Sequence, residues 1–163
     1  MEQSKKAQRC CFSGHRSLPA EYENKIRCTL EKVVCHIAGI GYTEFISGGA
    51  LGFDLLAAEV IIEKKKSIPQ LKLIMALPCR DQNMKWSEAD KRRYEKVLSC
   101  ADEIIYVTEK YCTGCMHLRN KFMVENSSMC IAYKTRRNGG TSHTVDYAKE
   151  KGLGIINISE VLE

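Results

Sequence analysis

No apolar run in this chain approaches the roughly 20 residues that a membrane-crossing helix requires. The polar residues 1–8 lack the apolar core of a signal peptide. The expectation is a cytoplasmic protein that does not engage a membrane. Aromatic residues are few, with four Phe, seven Tyr and one Trp, and the net charge is only +5. A single-strand DNA groove needs stacking rings along a continuous basic path. The composition therefore ranks nucleic acid below a small molecule as the partner. The Walker pattern is missing, because no Gly-Lys-Ser/Thr follows the glycine turn, and the G-x-G-x-x-G spacing of dinucleotide folds is missing too. Cys112-x-x-Cys115 has no second ligand pair at zinc spacing, so no metal and no cofactor are expected. Internal repeats, low-complexity tracts and linkers are also lacking.

What is there reads as one domain over residues 1–163, with residues 1–7 a flexible N-terminus. Hydrophobic residues at 44% and charged residues at 28% are ordinary for a globular chain with a proper core. The nine cysteines are an odd number, and Cys10, Cys11, Cys28, Cys35, Cys100 and Cys130 sit in apolar runs. They imply a reducing compartment and core filling by thiols, not a disulfide frame.

Strand-like runs at 8–13, 43–46, 71–77, 103–108, 129–133 and 154–158 alternate with helical periodicity at 21–38, 51–65, 87–100, 114–126 and 141–151. This alternation predicts βαβ units and an α/β fold, a single Rossmann-like three-layer domain with a mostly parallel sheet flanked by helices.

In such sheets ligands bind at the carboxyl ends of the strands, and the chemistry-bearing clusters fall there. Ser47-Gly48-Gly49-Ala50, with Gly52 and Asp54, joins a strand to a helix, and Asn138-Gly139-Gly140-Thr141, with Thr144 beyond, does so again. Glycines permit a tight turn, while a helix start supplies N–H groups and partial positive charge, together a cradle for phosphate. Two cradles in one small chain imply a nucleotide-derived ligand. Gly14, His15 and Arg16 follow the first strand, where Arg16 offers a planar fork for an anion. Pro78 ends the third strand, and Trp86 in the loop beyond it either stacks on a base or caps the core. Arg119 and Asn120 lie early in a helix, where a cation is unfavourable and an anionic ligand offsets the cost. Arg136 and Arg137 stand just before the second glycine turn.

These motifs resemble the SLOG superfamily, which joins the DNA-processing protein DprA to the Lonely Guy phosphoribohydrolases, and within it the small stand-alone YpsA-like branch. Phe12-Ser13-Gly14-His15-Arg16 is similar to that branch's opening motif. Ser47 to Asp54 is similar to the DprA signature S-G-x-A-x-G-I-D. Met116-His117-Leu118-Arg119-Asn120-Lys121 is similar to the Lonely Guy M-H-x-R-K segment, and Gly139-Gly140-Thr141 takes the place of its P-G-G-x-G-T loop. The likeness runs from Cys11 to about Ile156. It implies non-catalytic binding of an NAD-, ADP-ribose- or cyclic-nucleotide-type signal, by a sensor that meets a partner protein or a sponge that sequesters the signal. Some relatives act in phage defence. The implied roles are phosphate binding by the N–H groups of Gly48, Gly49, Gly139 and Gly140, charge from Arg16 and Arg119, and hydroxyls from Thr141 or Thr144. A homo-oligomer is implied as well. Lonely Guy enzymes cleave the N-glycosidic bond of nucleoside monophosphates with an Arg and a Glu. Arg119 matches the first, but Val145 stands where the Glu is expected, with Asp146 one step on, and Asn120 replaces a Lys. An N-glycosidase and a DprA-like single-strand DNA binder remain the two alternatives.

Overall fold

The computed structural model describes residues 3–162. Six strands, β1 Arg9–Gly14, β2 Glu44–Ser47, β3 Lys72–Leu77, β4 Glu103–Tyr106, β5 Met129–Tyr133 and β6 Gly154–Asn157, form one sheet in the order β4-β3-β2-β1-β5-β6. Each neighbouring pair is parallel, so the mostly parallel sheet expected from sequence is wholly parallel among the described residues. β1, β2, β3 and β5 are buried along nearly all of their length because both of their faces are covered, whereas β4 and β6 are partly exposed edges.

The helices are α1 Glu23–Gly39, α2 Phe53–Lys65, α3 Glu88–Cys100, α4 Cys115–Glu125, α5 Gly140–Glu150 and α6 Ile158–Val161. α1, α2, α3 and α6 build the larger core on one face of the sheet, and α4 and α5 build the smaller one on the other. α1 buries Ile26, Leu30, Val34 and Ile37, one helical stripe. α2 is buried nearly all round, from Phe53 to Ala58 and again at Val60 and Ile61, because it lies between α1, α3 and the sheet. Successive strands step from β1 outward to β4, and then the chain crosses to β5 on the far side of β1. Strand order therefore reverses between β1 and β5, which opens a crevice above their carboxyl ends.

Several boundaries differ from those expected. The helix expected from 51 starts at Phe53, because Leu51 and Gly52 complete a turn in which Gly52 has φ 81°. The segment 21–38 divides into a 3-10 turn, Ala20–Tyr22, and α1. A 3-10 helix, Gln3–Gln8, covers most of the 1–7 stretch read as a flexible N-terminus and the first residue of the strand expected from 8, while Met1 and Glu2 lie outside the described residues. α6 was not expected; the Asn157 side chain starts it by accepting the Ser159 N–H at 3.2 Å. All nine cysteines are unpaired thiols, but only Cys10, Cys11, Cys79, Cys115 and Cys130 are buried. Core filling does not hold for Cys28, Cys35 and Cys100, which lie on the outward faces of α1 and α3.

Candidate functional site

The crevice between β1 and β5 is a cleft of about 390 Å³. Gly14, His15, Arg16, Ala50, Asp54, Arg119, Asn120, Gly139, Gly140 and Thr141, all singled out from sequence, line it. Ser13 and Asn138, which belong to the motifs named from sequence, line it too, and the structure adds Arg136 from the β5–α5 loop, Ser17 from the β1 exit and Met116 from α4. Arg136 was visible beside a glycine turn, and Met116 lay within a recognised motif. Ser17 carried no signal, because its place depends only on where the β1 loop folds.

The two glycine turns are not equivalent. In the first, the chain itself occupies the donors. Ser47 Oγ accepts the Gly49 N–H at 3.2 Å and donates to the Asp54 carbonyl at 2.8 Å. The Phe53 N–H donates to the His15 carbonyl at 3.1 Å, which ties the start of α2 to the β1 loop. Arg119 Nη1 donates to the Gly48 carbonyl, and its guanidinium lies so close that a Cβ on Gly48 would sit 2.4 Å from Nη1. The expected phosphate contact from the Gly49 N–H is therefore replaced by an internal bond, and Gly48 serves to admit Arg119. Neither glycine is among the residues lining the cleft, nor is Ser47.

The second turn opens outward. Gly139 has φ 98° and precedes α5, which no side chain caps. The first intrahelical bond runs from the His143 N–H to the Gly139 carbonyl at 3.1 Å. The N–H groups of Gly140, Thr141 and Ser142 thus belong to the first turn, where a helix has no carbonyl to offer them. A Cβ on Gly139 or Gly140 would meet nothing within 4 Å.

Positive charge surrounds this helix start. Arg119 is only 3% exposed. Its Nε donates to Asn120 Oδ1 at 2.8 Å, so Asn120 orients the guanidinium. Burial lowers its pKa from the usual arginine value, and the Asp54 charge opposes that shift. Asp54 is the one carboxylate among the described residues that lines the cleft. Burial raises its carboxyl to about 6, against the opposing charge of Arg119 and a hydrogen bond from the Ala50 backbone. Its Oδ1 is buried without a hydrogen-bond partner. Arg16 and Arg136 are exposed, with no carboxylate partner among the described residues.

His15 holds the two loops together. Its Nε2 accepts the Thr135 N–H at 3.0 Å, which places the ring proton on Nδ1. Nδ1 then faces Arg136 Nη2, another donor, at 3.1 Å. Burial, and then the Arg136 charge, lower the His15 pKa. Arg136 gains no bond from His15 in this tautomer and is available to an anion in the cleft.

Besides Ser47, Gly48 and Gly49, three more residues named from sequence lie elsewhere. The Pro78 carbonyl accepts the Thr108 N–H at 3.0 Å and its Oγ1 at 2.7 Å, a fixture of the β3–β4 edge. Thr144 Oγ1 donates to the Gly140 carbonyl at 3.0 Å, and Thr144 lines a separate groove between α4 and α5. Trp86 lies in a side pocket that adjoins the cleft. Val145 is 3% exposed in the smaller core, and Asp146 turns into the α4–α5 groove.

Residues 19–154 match the profile of the YspA SLOG family. The uncharacterized SPbeta prophage-derived protein YoqJ of Bacillus subtilis (strain 168) is 34% identical over 122 residues, which cover 68% of this chain and 71% of that protein. Among solved structures, DprA of Streptococcus pneumoniae superposes with a TM-score of 0.68 at 16% identity, over 92% of this chain and 50% of that one. The present chain thus spans half the length of that relative in fold. DprA of Helicobacter pylori, described for its single-stranded DNA binding mode, gives a TM-score of 0.56 at 16% identity, over 97% of this chain and 80% of that one.

Proposed function

The chain belongs to the YspA SLOG family, and on that premise we propose that its cleft binds a phosphorylated, nucleotide-derived small molecule, of the ADP-ribose or NAD type or a cyclic nucleotide, without cleaving it. The protein then acts as a sensor or as a sequestering protein. One observation carries this reading: the uncapped start of α5 opens on the cleft beside Arg16, Arg119 and Arg136. The helix start and the arginines suit a phosphate. Arg119, held by the chain, supplies a fixed field, and Arg16 and Arg136 close on the ligand.

A second reading, N-glycoside hydrolysis, has one observation in its favour. Asp54 has a carboxyl raised to about 6, suited to proton transfer near neutral pH. The positions that the family's hydrolases suggest do not add a carboxylate, since Val145 is core and Asp146 faces another groove.

Thermal-shift titration with AMP, ADP-ribose, NAD and cyclic dinucleotides, with mass spectrometry of each mixture, separates the two. Binding at a hundredfold excess over Kd adds about 2.7 kcal/mol of stability, a rise in Tm of roughly 5–10 °C for a chain of this size. An intact ligand with a shift lost in Arg119→Ala supports the binder. Released free base makes the protein a hydrolase. Failure of every nucleotide to shift Tm, with steeply salt-dependent binding to single-stranded DNA, overturns the reading in favour of nucleic acid.

A further inference from the structure

We propose that Cys112 and Cys115 form a reversible redox pair, a modification site that a small disulfide such as oxidised glutathione converts to an intramolecular disulfide; the inference is independent of what the cleft binds. The two thiols belong to the Cys112-Thr113-Gly114-Cys115 segment that leads into α4. The Cys115 N–H donates to the Cys112 carbonyl at 3.1 Å, which closes a four-residue turn. Gly114, with φ 85° and ψ 2°, supplies the left-handed residue that such a turn takes at its third position. A closed turn holds its end Cα atoms within about 7 Å, and disulfides span Cα separations of roughly 4.4–6.8 Å. The backbone spacing that a disulfide needs is therefore present before any oxidation.

Exposure divides the roles. Cys112 is exposed, and Cys115 is 0% exposed. Cys112 alone among the four exposed cysteines has another cysteine within three residues. In the first exchange, the Cys112 thiolate attacks one sulfur of the small disulfide; a mixed disulfide forms and one thiolate leaves. In the second, the Cys115 thiolate attacks the Cys112 sulfur, expels the other small thiolate and closes the S–S bond. The leaving thiolates take up the two protons, so two protein thiols are oxidised and the small disulfide is reduced to two thiols. Cys115 starts buried, so the second exchange is the slower one and proceeds as the first turn of α4 opens. Cys79, which lies near enough to feel the Cys115 charge, does not compete. Burial, and then Asp81, push its thiol up to about 12, and the protonated form is not a nucleophile. The pair lies at the start of the helix that carries Met116 and Arg119 to the cleft.

The test incubates the whole protein with oxidised glutathione at neutral pH under native conditions, traps the remaining thiols by alkylation and maps the products by mass spectrometry. The expected wild-type product has lost two hydrogens in a crosslink between Cys112 and Cys115. Glutathione is retained on Cys28, Cys35 and Cys100, which have no resolving partner, but is lost from Cys112, and dithiothreitol restores every thiol. Cys115→Ser is expected to keep glutathione on Cys112. Cys112→Ser, a change at an exposed position, is expected to leave Cys115 without a crosslink. Glutathione that stays on Cys112 in the wild type, a Cys112 that does not react, or a crosslink that maps to Cys79 overturns the pair. The wild-type map decides without any variant having to fold.

Discussion

Asp54 sets an internal cost within the fold. Its carboxyl is raised from the usual aspartate range to about 6 because burial disfavours the charged form more than Arg119 favours it. The folded state therefore holds the proton more tightly than the unfolded one. The resulting stability is fully present below the unfolded value and is lost as pH rises through about 6. At about 1.4 kcal/mol per pKa unit, ionisation costs the fold about 3 kcal/mol. Asp54→Asn keeps the shape without the charge. We expect it to exceed the wild type by up to about 3 kcal/mol in urea unfolding near pH 8 and to match it near pH 4. A variant weaker by the same amount at both pH values would mean that Asp54 contributes through packing alone. From sequence, Asp54 reads as a complement to the α2 dipole or a fixer of its loop. Its solitude in the cleft depends on α4 delivering Arg119 from far along the chain.

At the scale of elements, the two strand-to-helix turns look alike in sequence and differ in use. Both offer Gly-Gly before a helix. The first is closed by Ser47 at the end of β2, the His15 carbonyl after β1 and Arg119 of α4. The second keeps its helix start open. No local property of Gly48-Gly49 and Gly139-Gly140 distinguishes these outcomes. Gly139, with φ 98° and ψ −177°, lies in a region that side chains other than glycine avoid. Gly139→Ala is expected to cost about 1–3 kcal/mol of stability and to weaken nucleotide binding by at least about tenfold, since it displaces the first N–H groups of α5. Calorimetric titration beside thermal unfolding reads both. Unchanged affinity in a destabilised variant would move the phosphate away from α5.

For the whole molecule, the sheet order decides which thiols and which loops see solvent. Cys28, Cys35, Cys100 and Cys112 are exposed, and the other five are buried. Burial pushes the Cys79 thiol up to about 12, and Asp81 adds to the shift, so that thiol is unreactive as well as covered. Titration with an aromatic disulfide at neutral pH is expected to count four thiols promptly in the native protein and nine after denaturation. Rapid modification of a fifth under native conditions would mean that β1, β5, the loop after β3 or the start of α4 opens locally.

The alternation of apolar strand runs with helical stripes determined the α/β class and the approximate span of every strand, because covered parallel strands and amphipathic helices have different periods. It also placed His15, Arg16, Arg119 and Gly139 near strand ends, because βαβ units put their loops there. Tertiary structure alone decided that β5 returns beside β1, since strand order follows from packing between distant segments and leaves no local periodicity. That return makes one crevice of Arg16, Asp54, Arg119, Arg136 and Gly140, and it leaves Thr144, Asp146 and Pro78 outside. It also gives Arg119 to Gly48, which turns the more conspicuous of the two glycine motifs from a ligand cradle into a seat for a side chain.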